Sequence, residues 1–207
     1  MQDGVVARSE EVLEFWFGTA APDEPPGPDQ FRLWFQGGEE VDRQIRERFG
    51  DDVERARRGE LEQWAETPRG RLALIILLDQ FSRNLHRGSA AAFANDSAAL
   101  KLTLEGLASG HDKALSCVEQ LFFVLPLEHA EDLAMQNRML AYLDDWAKRL
   151  PAALTSIAKG VRDFAQEHHR VIARFGRFPT RNQALGRTST PEEAAHVLEA
   201  KAAGRPV

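Results

Sequence analysis

Thr67-Pro68-Arg69-Gly70-Arg71-Leu72-Ala73-Leu74-Ile75-Ile76-Leu77-Leu78-Asp79 opens like a helix and then turns apolar on every side. Thr67 offers a side-chain oxygen to a first-turn N–H. Pro68 fits the first helical position, where its missing N–H costs nothing. The run Leu72 to Leu78 leaves no polar stripe to face water, so this helix, extending to about Asn84, belongs at the centre of the fold. The same run is far too short for a bilayer, which takes about 20 residues.

Working outward, the rest of the chain also reads as helical. Before the central helix, a short segment after Ser9 carries Val12, Leu13, Phe15, Trp16 and Phe17 and stops at Gly18. Pro22, Pro25, Pro26 and Pro28 make residues 18–29 an extended surface loop. An aromatic segment from Gln30 to Gln36 follows, a candidate exposed contact, then a helix from about Glu39 to Arg58. That helix sets Val41, Ile45, Phe49 and Val53 four apart and ends at Gly59. After the central helix come segments at about Asn95–Ala108 and Ser116–Val124, the latter meeting Leu125-Pro126. Two long helices, about Leu127–Leu150 and Pro151–Phe175, and a last one capped by Thr190 and Pro191 complete the chain. No strand-length alternation appears. The expectation is one all-α domain over residues 1–207 with a tail at 200–207, built of about eight to nine helices packed as antiparallel hairpins.

Composition narrows the class. The chain has 207 residues, 43% of them hydrophobic, enough for a substantial core. The one cysteine, Cys117, excludes an internal disulfide and a multi-cysteine zinc site. Residues Met1 to Glu14 lack the apolar run of a secretory signal, so a cytoplasmic setting is expected and no membrane association. A net charge of −6 argues against nucleic acid as a partner. Charge is uneven, however: His168 to Arg187 holds five arginines and no acid, leaving −11 for the rest.

Polar residues that interrupt the apolar stripes mark the candidate site. His129, Asp132 and Gln136 continue, at helical spacing, into Met139, Leu143, Trp146 and Leu150. His168 sits in the stripe Leu154, Ile157, Val161, Phe164, Ile172 and Phe175, and Asp79 and Ser82 share a face with Leu72 and Ile75. Burying charge costs several kcal/mol unless it is paired, so these groups are either satisfied internally or used. His129 and His168 are candidate acid–base groups, oriented by Asp79 or Asp132. Arg83, Asn84, Arg174, Arg177, Arg181, Asn182 and Gln136 are candidate ligand-binding residues, since guanidinium forks suit phosphate or carboxylate. Asp79, His129, Asp132 and His168 also form a chemically sensible ligand set for a metal, although no cofactor is implied. Each feature has a plainer account: Asp79 and Arg83 make an i,i+4 pair, and Glu128, Glu131 and Asp132 complement the dipole of a first helical turn.

Three segments resemble a bacterial family catalogued as a domain of unknown function, number 924. They are Leu78-Asp79-Gln80-Phe81-Ser82-Arg83-Asn84-Leu85-His86-Arg87-Gly88, Phe122-Phe123-Val124-Leu125-Pro126-Leu127-Glu128-His129-Ala130-Glu131-Asp132 and Ile172-Ala173-Arg174-Phe175-Gly176-Arg177-Phe178-Pro179-Thr180-Arg181-Asn182. The similarity runs from Val12-Leu13-Glu14-Phe15-Trp16-Phe17-Gly18 to the helix at Thr190-Pro191-Glu192-Glu193. It implies an all-helical, tetratricopeptide-like superhelix and no established activity, hence no catalytic residues to carry over.

Three functional readings follow. One is a polar, arginine-lined pocket for a small anion, with histidine–carboxylate chemistry. The second is a scaffold that clamps an acidic peptide or protein segment. The third is an internal network that specifies helix packing.

Overall fold

The computed structural model describes residues 2–18, 24–35 and 37–202, with side chains from residue 7 onward. Residues 19–23 of the expected proline loop, Gln36 and the tail beyond residue 202 lie outside the described residues. The described residues are all helix, turn and loop, with no strand. The α-helices are α1 (Gln2–Phe17), α2 (Pro28–Phe35), α3 (Glu39–Arg57), α4 (Pro68–Ile75) and α5 (Ser82–Leu85), followed by α6 (Asp96–Ser109), α7 (Cys117–His129), α8 (Leu133–Ala147), α9 (Thr155–Phe175) and α10 (Pro191–Ala202). A π turn over Ile76–Phe81 joins α4 and α5 into one rod, so the described chain makes nine rods.

That joined rod is the centre of the molecule, as its sequence requires. Thr67 Oγ1 accepts the Gly70 N–H at 3.1 Å, and every residue from Leu72 to Leu78 is buried. Helices α1, α6 and α7 pack around α4, while α3 covers the π turn and α5. Each fully buried Leu or Ile contributes about 1.5–3 kcal/mol relative to exposure. On the amino-terminal side, Trp16, Phe49 and Phe81 fill the core, and Phe81 meets the other two rings at 5.6 and 5.3 Å. Helices α7, α8 and α9 each pack on the next. Among the described residues, no helix is long and apolar enough to cross a membrane.

Four boundaries differ from the sequence reading. Helix α1 begins at Gln2, well before Ser9, and α2 takes in Pro28 and Asp29 from the expected loop. Pro28 opens that helix, where a proline is tolerated. The third difference is at Pro126, which lies inside α7 instead of ending it. A proline interior to a helix frees backbone carbonyls in the preceding turn. Thr103 Oγ1 from α6 donates to Phe123 O, in the turn before the proline, at 2.8 Å. The capping box of Ser116 and Glu119 secures the start of the same helix. Fourth, the expected helix Leu127–Leu150 is in fact the end of α7 and all of α8, separated by Ala130–Asp132. Gln136, Met139, Leu143 and Trp146 are nonetheless all buried, as the stripe predicts.

Candidate functional site

Asp79 lies within the π turn, a helical irregularity that recurs at functional sites. Ser82, just beyond it, donates both its N–H and its hydroxyl to Leu77 O, and Asn95 donates to the Ser82 hydroxyl at 3.0 Å. The Asp79 side chain is fully buried. Its Oδ1 meets His129 Nδ1 at 2.7 Å and Arg83 Nη1 at 2.9 Å, and Gln80 bonds Oδ2. Burial alone would raise the Asp79 pKa. Arg83 and His129 outweigh it and hold the carboxyl well below the usual range. An ionised Asp79 accepts, so His129 Nδ1 carries the proton and Nε2 keeps its lone pair. Burial, with Arg83 adding to it, keeps His129 below its ordinary pKa against the pull of Asp79, so the ring is neutral at pH 7.

Two arginines flank this dyad and share one acid. Asp96, in the first turn of α6, accepts Arg83 Nη2 and Arg181 Nη1 through Oδ2, each at 3.1 Å, while its Oδ1 lies 3.0 Å from Arg83 Nη1 without a hydrogen bond among the described residues. The Arg181 guanidinium lies 4.7 Å from the Phe93 ring centre and 4.5 Å from that of Phe178. Its side chain is 12% exposed, and burial lowers its pKa against the pull of Asp96. Among the described residues, Arg181 Nη1 to Asp96 is its one hydrogen bond, so Nε and Nη2 retain donors.

Glu128 stands beside the dyad on α7 and is 2% exposed. Its Oε1 makes no hydrogen bond among the described residues and lies 3.5 Å from His168 Nδ1. Burial, helped by the charge of Asp79, pushes its pKa up to about 8, so it is a neutral acid at pH 7. Two nearby carboxyl groups thus hold opposite protonation states, an arrangement that separates acid from base roles.

The sequence-selected residues divide. Asp79, Arg83, His129 and Arg181 come together, and His168 adjoins them through Glu128. The others are placed elsewhere. Asp132 caps α8, accepting the Ala134 and Met135 N–H groups at 2.7 and 3.2 Å. Gln136 donates to Glu128 O and Ala130 O at 2.6 and 2.9 Å and so closes the end of α7. Asn84 donates to Asp42 at 2.8 Å. Arg174 bonds Glu192 at 2.6 Å, Arg177 grips Glu193 at 2.6 and 2.9 Å, and Asn182 bonds Ser189 and Glu193, so these three hold α10 in place. The metal set of Asp79, His129, Asp132 and His168 is not assembled: among the described residues, no group of three or more His, Cys, Asp or Glu is placed to hold a metal ion. The physical reason is the break at Ala130–Asp132, which commits Asp132 to capping.

Sequence reasoning missed Glu128, Asp96, Phe93 and Phe178 as members of the cluster. Glu128 read as a first-turn acid because the helix boundary was expected at Leu125-Pro126. It sits in the last turn of α7, where the dipole disfavours its charge. Asp96 gave no signal beyond an ordinary helix start. Glu131 accepts the Phe178 N–H at 2.8 Å and both terminal nitrogens of Arg187 at 2.6 and 2.9 Å, and thereby ties the segment after α9 to α7.

The fold has a counterpart among solved structures. A protein of unknown function from Agrobacterium tumefaciens, ATU0120, is 35% identical to this chain, with a TM-score of 0.79. The match covers 94% of this chain and 99% of that one. No curated protein matches the chain. The family model described as "Bacterial protein of unknown function (DUF924)" matches residues 12–201, and with all three signature segments inside that span the chain belongs to this family.

Proposed function

We propose that this chain binds a small anionic molecule at the Asp79–His129–Arg83–Arg181 cluster and uses His129 as a general base. One observation carries the reading: a fully buried, ionised Asp79 holds His129 Nδ1 at 2.7 Å, beside an arginine with unused donors. In that geometry Nε2 can take a proton from water or a substrate hydroxyl while Asp79 stabilises the imidazolium. Arg181, pressed between two aromatic rings, offers its remaining N–H groups to a phosphate or carboxylate. The succession of α7, α8 and α9, each packed on the next, supports a tetratricopeptide-like array as the frame.

Thermal denaturation with a panel of phosphate esters and carboxylates tests this reading, with Arg181→Gln and His129→Gln alongside wild type. An anion at a hundred times its Kd adds about 2.7 kcal/mol to stability. One anion class is expected to raise the wild-type midpoint, with Arg181→Gln abolishing the shift and His129→Gln retaining it. If no anion shifts wild type while both variants melt far lower, the cluster is internal scaffolding. A wild-type shift only with acidic peptides would point to the scaffold reading instead.

A further inference from the structure

A groove of about 410 Å³ runs between α9 and α10, outside the dyad. Phe164 and Phe178 give it aromatic walls, His168 stands between those rings at 4.7 and 5.4 Å, and Asp163 and Glu167 stand at its margin. No Lys or Arg lines it. The two acids pair with Lys159 and Arg170, both well-exposed residues on the same helix. His168 Nδ1 meets the Phe164 carbonyl at 3.1 Å, which fixes its proton on Nδ1 and leaves the Nε2 lone pair for the groove. The buried Glu128 Oε1, without a hydrogen bond among the described residues, lies 3.5 Å from the same Nδ1. An orphaned buried oxygen of this kind calls for an explanation.

We propose that this groove binds a small organic cation, an ammonium on an aromatic or aliphatic body, with His168 Nε2 accepting its N–H and Glu128 ionising to balance its charge. An aromatic face favours a cation; Phe164 supplies it, since Phe178 carries Arg181 at 4.5 Å, and the lining holds Asp163 and Glu167 with His168 and His196 as its basic groups and no Lys or Arg. Binding makes or breaks no covalent bond: a neutral Glu128 loses one proton to solvent as the cation arrives. Glu128 is faced by Asp79 from the π turn and by His168 from α9. His168 is faced by the Phe164 carbonyl and Glu167 on its own helix, and by Arg181 and Phe178 from the segment that follows. This site needs neither His129 nor a ligand on Arg181, so it stands or falls apart from the anion reading.

Titration calorimetry with benzylammonium as the probe, between pH 6.5 and 8, tests the proposal, with benzyl alcohol and benzoate as controls. Benzylammonium is expected to bind more than tenfold tighter than either control. Its affinity should rise with pH, by at most about tenfold per pH unit for one linked proton. Buffers of different ionisation heat should register that proton's release. Glu128→Gln should retain binding but lose the proton release and the pH dependence. Phe164→Ala, at an exposed position that leaves the fold intact, should lose the binding. Benzylammonium binding no better than benzyl alcohol, or a pH dependence unchanged in Glu128→Gln, would overturn the proposal.

Discussion

Replacing Glu128 by Gln isolates the most unusual charge state in the molecule. In the folded chain burial keeps this carboxyl protonated up to about 8, whereas the ordinary value is 4.5. Between those pH values unfolding releases a proton, so the folded state loses stability as pH rises. Each pH unit over which only the folded state keeps the proton costs about 1.4 kcal/mol. The full interval therefore has a ceiling on the order of 5 kcal/mol. Three histidines work the other way. His111, His129 and His168 are all held below their ordinary 6.5, chiefly by burial, so their contribution rises with pH and is complete above that value. From pH 6.5 to 8 Glu128 then acts without them, and its effect is about 2 kcal/mol, or about 4–8 °C in Tm for a chain of this size. Gln has the same shape and no titration, so the variant should be flat where wild type declines. Any constant offset from the new amide leaves that difference untouched. Calorimetric melts of both proteins at pH 6.5, 7.2 and 8 make the measurement. Parallel curves would refute the reasoning, because they would mean that Glu128 is ionised in the folded chain.

Asp79→Asn removes the charge from a fully buried pair and leaves Arg83 with Asp96 alone, so it should cost about 3–5 kcal/mol in urea denaturation. The same variant should let the His129 proton redistribute between the ring nitrogens, visible in the nitrogen shifts of labelled histidine. Gly106→Ala should destabilise by about 1–3 kcal/mol, because a Cβ there would meet Phe123 Cζ at 2.4 Å and Arg71 Cδ at 2.6 Å. Phe123 is fully buried and has nowhere to go. Arg177→Ala should loosen α10, detected as faster amide exchange at Glu193 and its neighbours, and should leave any anion-induced shift in Tm intact. Loss of the shift in that variant would return Arg177 to the ligand site.

Much of the fold was legible because burial is written in apolar periodicity. The run from Leu72 to Leu78 predicted its own central position, and the caps at Thr67 and Thr190 marked helix starts. Proline misled twice, each time read as a break where a helix runs. Its local cost is certain, but whether a helix ends there depends on partners from elsewhere in the chain. At Pro126 the helix runs on, buried against α4, α6 and α8, and no local pattern announces that packing. The error carried further than a boundary, since it placed Glu128 at the wrong end of a helix and Asp132 on a face it does not occupy.

The arginine-rich segment shows why a count of charges is a weak guide to a site. Of its five arginines, Arg174 and Arg177 hold α10, Arg187 chelates Glu131, and Arg170 pairs with Glu167. Only Arg181 reaches the dyad. There it is balanced: Asp79 and Asp96 carry two negative charges, Arg83 and Arg181 two positive ones, while His129 and Glu128 are neutral at pH 7. Arg83 and Arg181 each make one 3.1 Å hydrogen bond to Asp96 Oδ2, and Arg181 keeps Nε and Nη2 unused. The proton on Glu128 is therefore what keeps the sum of the cluster at zero, since an ionised Glu128 would leave it one negative charge in excess.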